Sequence, residues 1–103
     1  MTEVVIMGDS RNVVCARIVV EGRVQGVGFR QWVRKLARQR NLSGWVMNRA
    51  DGQTVEAEVQ GASASVHRMT ELLAAGPPGA RVDKIDVQWI NPQNIPASFK
   101  IHR

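Results

Sequence analysis

The hydrophobic residues of this 103-residue chain recur with one of two spacings, and segments with the two spacings follow one another along the sequence. The order of these segments restricts the folds that the chain can adopt. A period of two is typical of a strand with one buried face, whereas recurrence at three and four residues is typical of a helix with one buried face. The segment VVCARIVVEG, which starts at Val13, has the first pattern. Residues 29–37 have the second, which predicts a helix of about three turns after the first strand.

The middle and end of the chain predict a hairpin, a second helix and two further strands. The turn dipeptide Asp51-Gly52 separates the segment LSGWVMNR from the alternating segment QTVEAEVQ, and two strands around such a turn favour a β-hairpin. An apolar stripe at helical spacing predicts a helix over residues 62–75, and the Gly-Pro-Pro-Gly that follows would end it. Alternation over residues 82–90 predicts another strand, and a short terminal strand contains Phe99 and Ile101.

This order of elements predicts an α+β fold. Strand, helix, strand, strand, helix, strand is the order of the ferredoxin-like βαββαβ sandwich, in which both helices pack on one face of an antiparallel sheet. The short terminal strand is an addition to it. Right-handed crossovers place the first and third strands side by side at the centre. We expect residues 1–12 to form a loosely ordered leader and residues 13–103 to form the domain.

The composition of the chain indicates which class of ligand it can bind and in which cellular compartment it is expected. Fourteen Lys and Arg against nine Asp and Glu give a net charge of +5, which favours anionic ligands such as phosphates or nucleic acid. Cys15 is the only cysteine, so an internal disulfide and a Cys-rich zinc site are both excluded. No apolar run approaches the roughly 18 residues of a membrane span, and no targeting segment is visible. We therefore expect a cytoplasmic protein with no membrane partner.

The loop between the first strand and the first helix is the segment most suggestive of chemistry. It reads GRVQGVGFR from Gly22 to Arg30. A glycine-rich approach to a helix N-terminus directs backbone N–H groups at one anion, and an arginine in the first turn adds a forked donor that matches phosphate oxygens. The alternative is a tight turn that needs glycine for steric reasons. The spacing does not fit the dinucleotide fingerprint or the nucleoside triphosphate loop.

The same loop, followed by an amphipathic helix and then GWVMN, closely resembles the acylphosphatase family of small ferredoxin-like enzymes. The resemblance extends from about Val14 to the terminal FKI. It implies hydrolysis of acyl phosphates, the mixed anhydrides of carboxylic and phosphoric acids, to a carboxylate and inorganic phosphate. The resemblance also implies a small-molecule substrate.

The resemblance assigns roles to particular residues. Arg30 matches the phosphate-binding arginine of the family, and Asn48, the last residue of GWVMN, matches the asparagine that holds the attacking water. The implied phosphate-binding residues are Arg23, Val24, Gln25, Gly26, Val27, Gly28 and Arg30. We expect no metal ion and no cofactor, because no His/Cys or carboxylate cluster accompanies the loop, and we expect a monomer.

A nucleic-acid-binding module with the same fold is the alternative. Ferredoxin-like sheets can bind single strands, and the positive charge suits a polyanion. This alternative requires aromatic side chains exposed on the open face of the sheet, but the chain has no Tyr and only two Phe, and it lacks the RNP-type pattern. We therefore expect no specific nucleic-acid partner.

Overall fold

The structure, a computed structural model, describes residues 12–103 as two helices and a five-stranded sheet. The helices are α1 (Phe29–Gln39) and α2 (Ser63–Ala75). The strands are β1 (Val13–Arg23), β2 (Ser43–Asn48), β3 (Thr54–Ala62), β4 (Arg81–Ile90) and β5 (Phe99–His102). This order confirms the predicted α+β, ferredoxin-like fold.

The sheet has the strand order β4-β1-β3-β2-β5, which places β1 and β3 together at the centre as predicted. These two strands are antiparallel and pair from Val13 with Ala62 to Glu21 with Thr54. The first four strands form the antiparallel sheet that the sequence predicts. The added strand β5 differs, because it pairs with β2 in parallel and makes the sheet mixed. Strand β4 runs opposite to β2 and lies at one edge of the sheet. The connection over residues 91–98 leads from β4 to the other edge, where β5 runs in the opposite direction to β4 and therefore in the same direction as β2.

Both helices cover the same face of the sheet. Helix α1 contacts β2 and β5, while α2 contacts β1, β3 and β4. Their buried side chains join those of the strands in one hydrophobic cluster. The helical members with less than 3% exposure are Phe29, Val33, Ala37, Val66, Met69 and Leu73. The apolar stripes read from the sequence therefore face the sheet.

Two predictions about connections have different outcomes. Asn41 has φ of 55° just after α1, the left-handed conformation expected of it at a helix C-terminus. The leader predicted over residues 1–12 lies outside the described residues except for Asn12. The carbonyl oxygen of Asn12 accepts a hydrogen bond of 3.0 Å from the N–H of Ser63.

Candidate active site

The loop that joins β1 to α1 contains a row of backbone N–H groups that have no acceptor in the described part of the chain. Gly28 has φ of 75° and is the N-cap of α1, where its missing side chain provides no capping oxygen. The first intrahelical bond near the cap runs from the N–H of Trp32 to the carbonyl oxygen of Gly28. Within residues 12–103, no backbone or side-chain acceptor receives a bond from the N–H groups of residues 24–31. These donors and the positive end of the helix dipole make the loop suited to bind an anion.

Arg30 adds a full positive charge to this helix end. It is the second residue of α1, and its side chain is half-buried. Among the described residues, no carboxylate or carbonyl oxygen pairs with its guanidinium. No acidic residue occupies the first turn of α1 either. With respect to residues 12–103, the donors of Arg30 are therefore available to a ligand.

Asn48 faces the same helix end from the sheet. It is the last residue of β2 and pairs with Val55 on the face covered by the helices. Its Oδ1 atom is buried and has no hydrogen-bond partner among residues 12–103. A buried carbonyl oxygen without a donor costs about 1–3 kcal/mol, so such an atom indicates a ligand or water that completes its bonding.

A pocket of about 230 Å³ brings these groups together. Of the residues implied by the family resemblance, those that line it are Val24, Gly26, Gly28, Arg30 and Asn48. Pockets that hold drug-sized ligands have volumes of roughly 300–1,000 Å³. The size therefore suits a small anion with a short organic group.

Three of the predicted phosphate-binding residues do not line this pocket. The side chains of Arg23 and Gln25 lie at a neighbouring cleft of about 370 Å³ that also contains Arg81 and Asp83. Val27 is half-buried and packs against the hydrophobic core. Their backbone N–H groups still belong to the unpaired row described above, apart from Arg23, which is the last residue of β1.

The structure adds lining residues that sequence reasoning missed. Ile101 and Arg103 enter the pocket from the end of the chain, and Gln31 enters from the first turn of α1. Met47 pairs with His102, so the residue after each of them, Asn48 and Arg103, falls at the same end of the two parallel strands. The signal was the alternation of the terminal strand, but its partner and direction were not predicted.

The described residues that line the pocket make it electropositive and include no group suited to hold a metal ion. Its lining includes Arg30 and Arg103 and no Asp or Glu. In the part of the chain that the structure describes, no group of three or more His, Cys, Asp or Glu side chains could hold a metal ion. The two histidines stack on tryptophans elsewhere, His67 on Trp89 and His102 on Trp45. The available chemistry is therefore anion binding by fixed donors, with an amide oxygen at the side.

Comparison with known proteins decides the family. The family model described as Acylphosphatase matches residues 16–101. The chain belongs to the acylphosphatase family. A relative from Anaeromyxobacter dehalogenans, named Acylphosphatase, is 49% identical over 86 residues, which are 84% of this chain and 91% of the relative.

Solved structures of acylphosphatases have the same architecture. The crystal structure of acylphosphatase from Bacillus subtilis superposes with a TM-score of 0.82 at 38% identity, covering 87% of this chain and 99% of that one. The structure of an acylphosphatase from Coxiella burnetii gives a TM-score of 0.83 at 34% identity, covering 99% of this chain and 100% of that one. The family, the fold and the class of enzyme predicted from the sequence are thus confirmed. No helix among residues 12–103 is long and apolar enough to cross a membrane.

Proposed function

We propose that this acylphosphatase-family enzyme hydrolyses acyl phosphates by attack of water on phosphorus. The water oxygen forms the new P–O bond, and the bond from phosphorus to the acyl oxygen breaks with its electron pair going to the carboxylate. The water protons pass to the phosphate and to solvent. The products are a carboxylate and inorganic phosphate.

The loop and Arg30 would hold the phosphoryl group. The N–H groups of residues 24–31, which have no acceptor among the described residues, lie in the loop and the first turn of α1, and Arg30 provides a forked, permanently charged donor in that turn. A loose phosphoryl-transfer transition state spreads charge over its equatorial oxygens. Fixed donors aimed at those oxygens can therefore supply much of the catalysis without reorganising during the reaction.

Asn48 would hold the attacking water, and its orphaned Oδ1 is the observation that carries the proposal. This oxygen is buried and lacks a donor among the described residues, and Asn48 is one of the residues that line the pocket. A water that donates one hydrogen bond to it would be held beside the phosphate. An amide cannot remove a proton at neutral pH, so Asn48 would act by orienting the water in line with the scissile bond.

The reaction needs no general acid, in agreement with the residues present. A carboxylate is stable without a proton, so it can leave directly. The pocket lining has no His, Asp or Glu to donate one. We infer that a phosphate oxygen of the substrate accepts the proton of the attacking water.

Asn48→Ala tests this division of roles. We expect kcat for benzoyl phosphate to fall by about 100-fold, the cost of a misplaced reactant. The inhibition constant of inorganic phosphate should change by less than about threefold, because the loop and Arg30 remain. Stability should be maintained or increase slightly, since the variant removes a buried oxygen without a partner.

The matched control is Asn91→Ala, which removes an exposed amide just after β4 at a residue that does not line the pocket. It should leave kcat and phosphate inhibition unchanged. If Asn48→Ala loses phosphate affinity and turnover together, or loses neither, the proposed role of Asn48 is wrong. Inorganic phosphate should inhibit the unmodified enzyme competitively, because product and substrate share the loop.

The open face of the sheet gives little support to specific nucleic-acid binding. Trp45 lies on it, but the Arg17 guanidinium is 5.5 Å from its ring centroid and the His102 ring stacks on it at 5.5 Å. Arg17 itself is paired with Glu56 at 3.2 Å and with Glu58 at 2.8 Å. We expect only weak association that decreases as salt rises. Tight binding of one RNA sequence at physiological salt, lost in Trp45→Ala, would contradict this expectation.

Three further properties stay predictions of the proposal. We propose that the enzyme is monomeric, cytoplasmic and active without added metal ions. Size-exclusion chromatography with light scattering, cell fractionation and assays with a chelator would measure them.

A further inference from the structure

The side chain of Gln25 joins the loop to the strand that carries Asn48. Its Nε2 group donates one hydrogen bond of 2.8 Å to the carbonyl oxygen of Arg49 and another of 3.0 Å to that of Thr54. Arg49 directly follows Asn48, and Thr54 is the first residue of β3. Both hydrogens of one amide are thus used to connect the loop with the base of the β2–β3 hairpin.

The hairpin is held on its other sides as well, so this connection is made to a fixed partner. The N–H of Arg49 donates to the same Thr54 carbonyl oxygen at 2.9 Å. The N–H of Gly22, near the end of β1, donates to the carbonyl oxygen of Gln53 at 3.0 Å. The carboxylate of Asp51 accepts the N–H of Gln53 at 2.9 Å and the Thr54 hydroxyl.

Gln25 is not itself a lining residue of the pocket. Its side chain lies at the neighbouring cleft, whereas the pocket is bordered by Gly26, Gly28, Arg30 and Asn48. Both amide hydrogens of Gln25 are taken up by the carbonyl oxygens of Arg49 and Thr54, so they are not available to a phosphate in the pocket. Its contacts define the separation between the two parts of the site, the loop on one side and the end of β2 on the other.

We propose that Gln25 is a positioning residue that fixes the water-binding end of β2 relative to the phosphate-binding loop. This inference rests on the proposed function, in which Asn48 holds the attacking water. In-line attack depends on the position of the water relative to phosphorus, and a shift of about 1 Å can lower a rate by roughly 100-fold. Phosphate binding depends on the loop and Arg30, which remain when the Gln25 side chain is changed.

The first test replaces Gln25 with a side chain of similar length that has no donor. Gln25→Met should lower kcat for benzoyl phosphate by about 10–100-fold, with less than about a threefold change in the inhibition constant of inorganic phosphate. Gln25→Glu should lower kcat at least as far, because a carboxylate would face two carbonyl oxygens. Gln88→Ala, which removes an exposed amide on β4, is the control and should leave kcat unchanged.

A double-mutant cycle separates positioning from a general structural role. If Gln25 acts through Asn48, Gln25→Met should change kcat by less than about twofold in a protein that already carries Asn48→Ala. If the glutamine only stabilises the loop, its loss should lower kcat by the same factor in both backgrounds. Thermal unfolding of each variant in saturating phosphate confirms that the folded protein is assayed.

The outcomes distinguish this inference from the proposed function. Full turnover in Asn48→Ala would overturn the proposed role of the water-holding amide. Lost turnover in Asn48→Ala, combined with equal losses from Gln25→Met in both backgrounds, would overturn only the positioning role. A rise in the phosphate inhibition constant parallel to the loss of kcat in Gln25→Met would also overturn it.

Discussion

Replacing Arg30 with alanine should reduce activity strongly without reducing stability. The guanidinium is a cation in the first turn of α1, near the positive end of the helix dipole, and no acidic residue accompanies it there. It has no protein partner within residues 12–103. A charge at the unfavourable helix end costs about 0.3–1 kcal/mol, so its removal should leave the free energy of unfolding equal or higher by that amount.

Arg30→Ala should leave the free energy of unfolding equal or slightly higher, but it should lower turnover by a much larger factor. Removal of one preorganised donor to transition-state charge costs about 3–4 kcal/mol, which corresponds to a few hundred-fold or more in kcat. Phosphate inhibition should weaken as well, since the proposal has the same donors bind the product. Arg30→Lys should recover little, because a point charge does not reproduce the planar fork.

The assay is the initial rate of benzoyl phosphate hydrolysis, paired with urea unfolding of the same preparations. Arg34→Ala is the matched control, because Arg34 lies one turn further along α1, is half-buried and does not line the pocket. It should retain full turnover. Near-normal rates in Arg30→Ala, or a loss of stability large enough to explain the lost activity, would refute the reasoning.

Three other predictions concern the fold and its chemistry. Burial, and secondarily the charge of Glu58, raise the pKa of Cys15 to about 11 from 9.0. The neutral Cys15 thiol should therefore contribute fully to the free energy of unfolding below pH 9, and this contribution should be lost as pH rises through 11. Urea unfolding across this range should show a steeper fall in the free energy of unfolding for the unmodified protein than for Cys15→Ala. Gly44→Ala should destabilise the protein by more than about 3 kcal/mol, because its Cβ would lie 1.8 Å from the carbonyl oxygen of Glu58 at φ of 136°. Gly52→Ala, with φ of 79° and nothing within 4 Å, should cost only about 1–2 kcal/mol in the same unfolding assay. Exhaustive chelation should leave turnover unchanged, and an activity that disappears with EDTA and returns with one metal ion would contradict this prediction.

Most of the fold can be predicted from the local periodicity of the hydrophobic residues. The exception is the position and direction of β5. Alternation identifies Phe99 and Ile101 as strand residues, but it carries no information about which edge that strand joins or in which direction it runs. The parallel pairing of β5 with β2 arises from the path of residues 91–98 and the free edge of β2. This pairing brings Arg103 into the pocket, so the missed pairing also accounts for the missed residue.

Some residues of the candidate site can be predicted from the sequence around them, and others cannot. The loop and Arg30 have a physical rationale in the sequence itself, since glycines before a helix start expose N–H groups and an arginine follows them. Asn48 has no such local signal and was identified only through the family resemblance. The burial of its Oδ1, which has no partner among residues 12–103, depends on the end of β2 lying opposite the start of α1. That arrangement is set by tertiary packing and not by the sequence around Asn48. The contacts of the Gln25 side chain have the same origin.

The position of bond cleavage is the most direct test of the central claim, which is attack of a held water on phosphorus. Benzoyl phosphate hydrolysed in water labelled with oxygen-18 should give labelled inorganic phosphate and unlabelled benzoate, because in the proposed mechanism the loop and Arg30 hold the phosphoryl group and Asn48 directs the water at it. Mass spectrometry of both products measures the label. Labelled benzoate with unlabelled phosphate would mean attack on the acyl carbon, and the account of this site would be wrong.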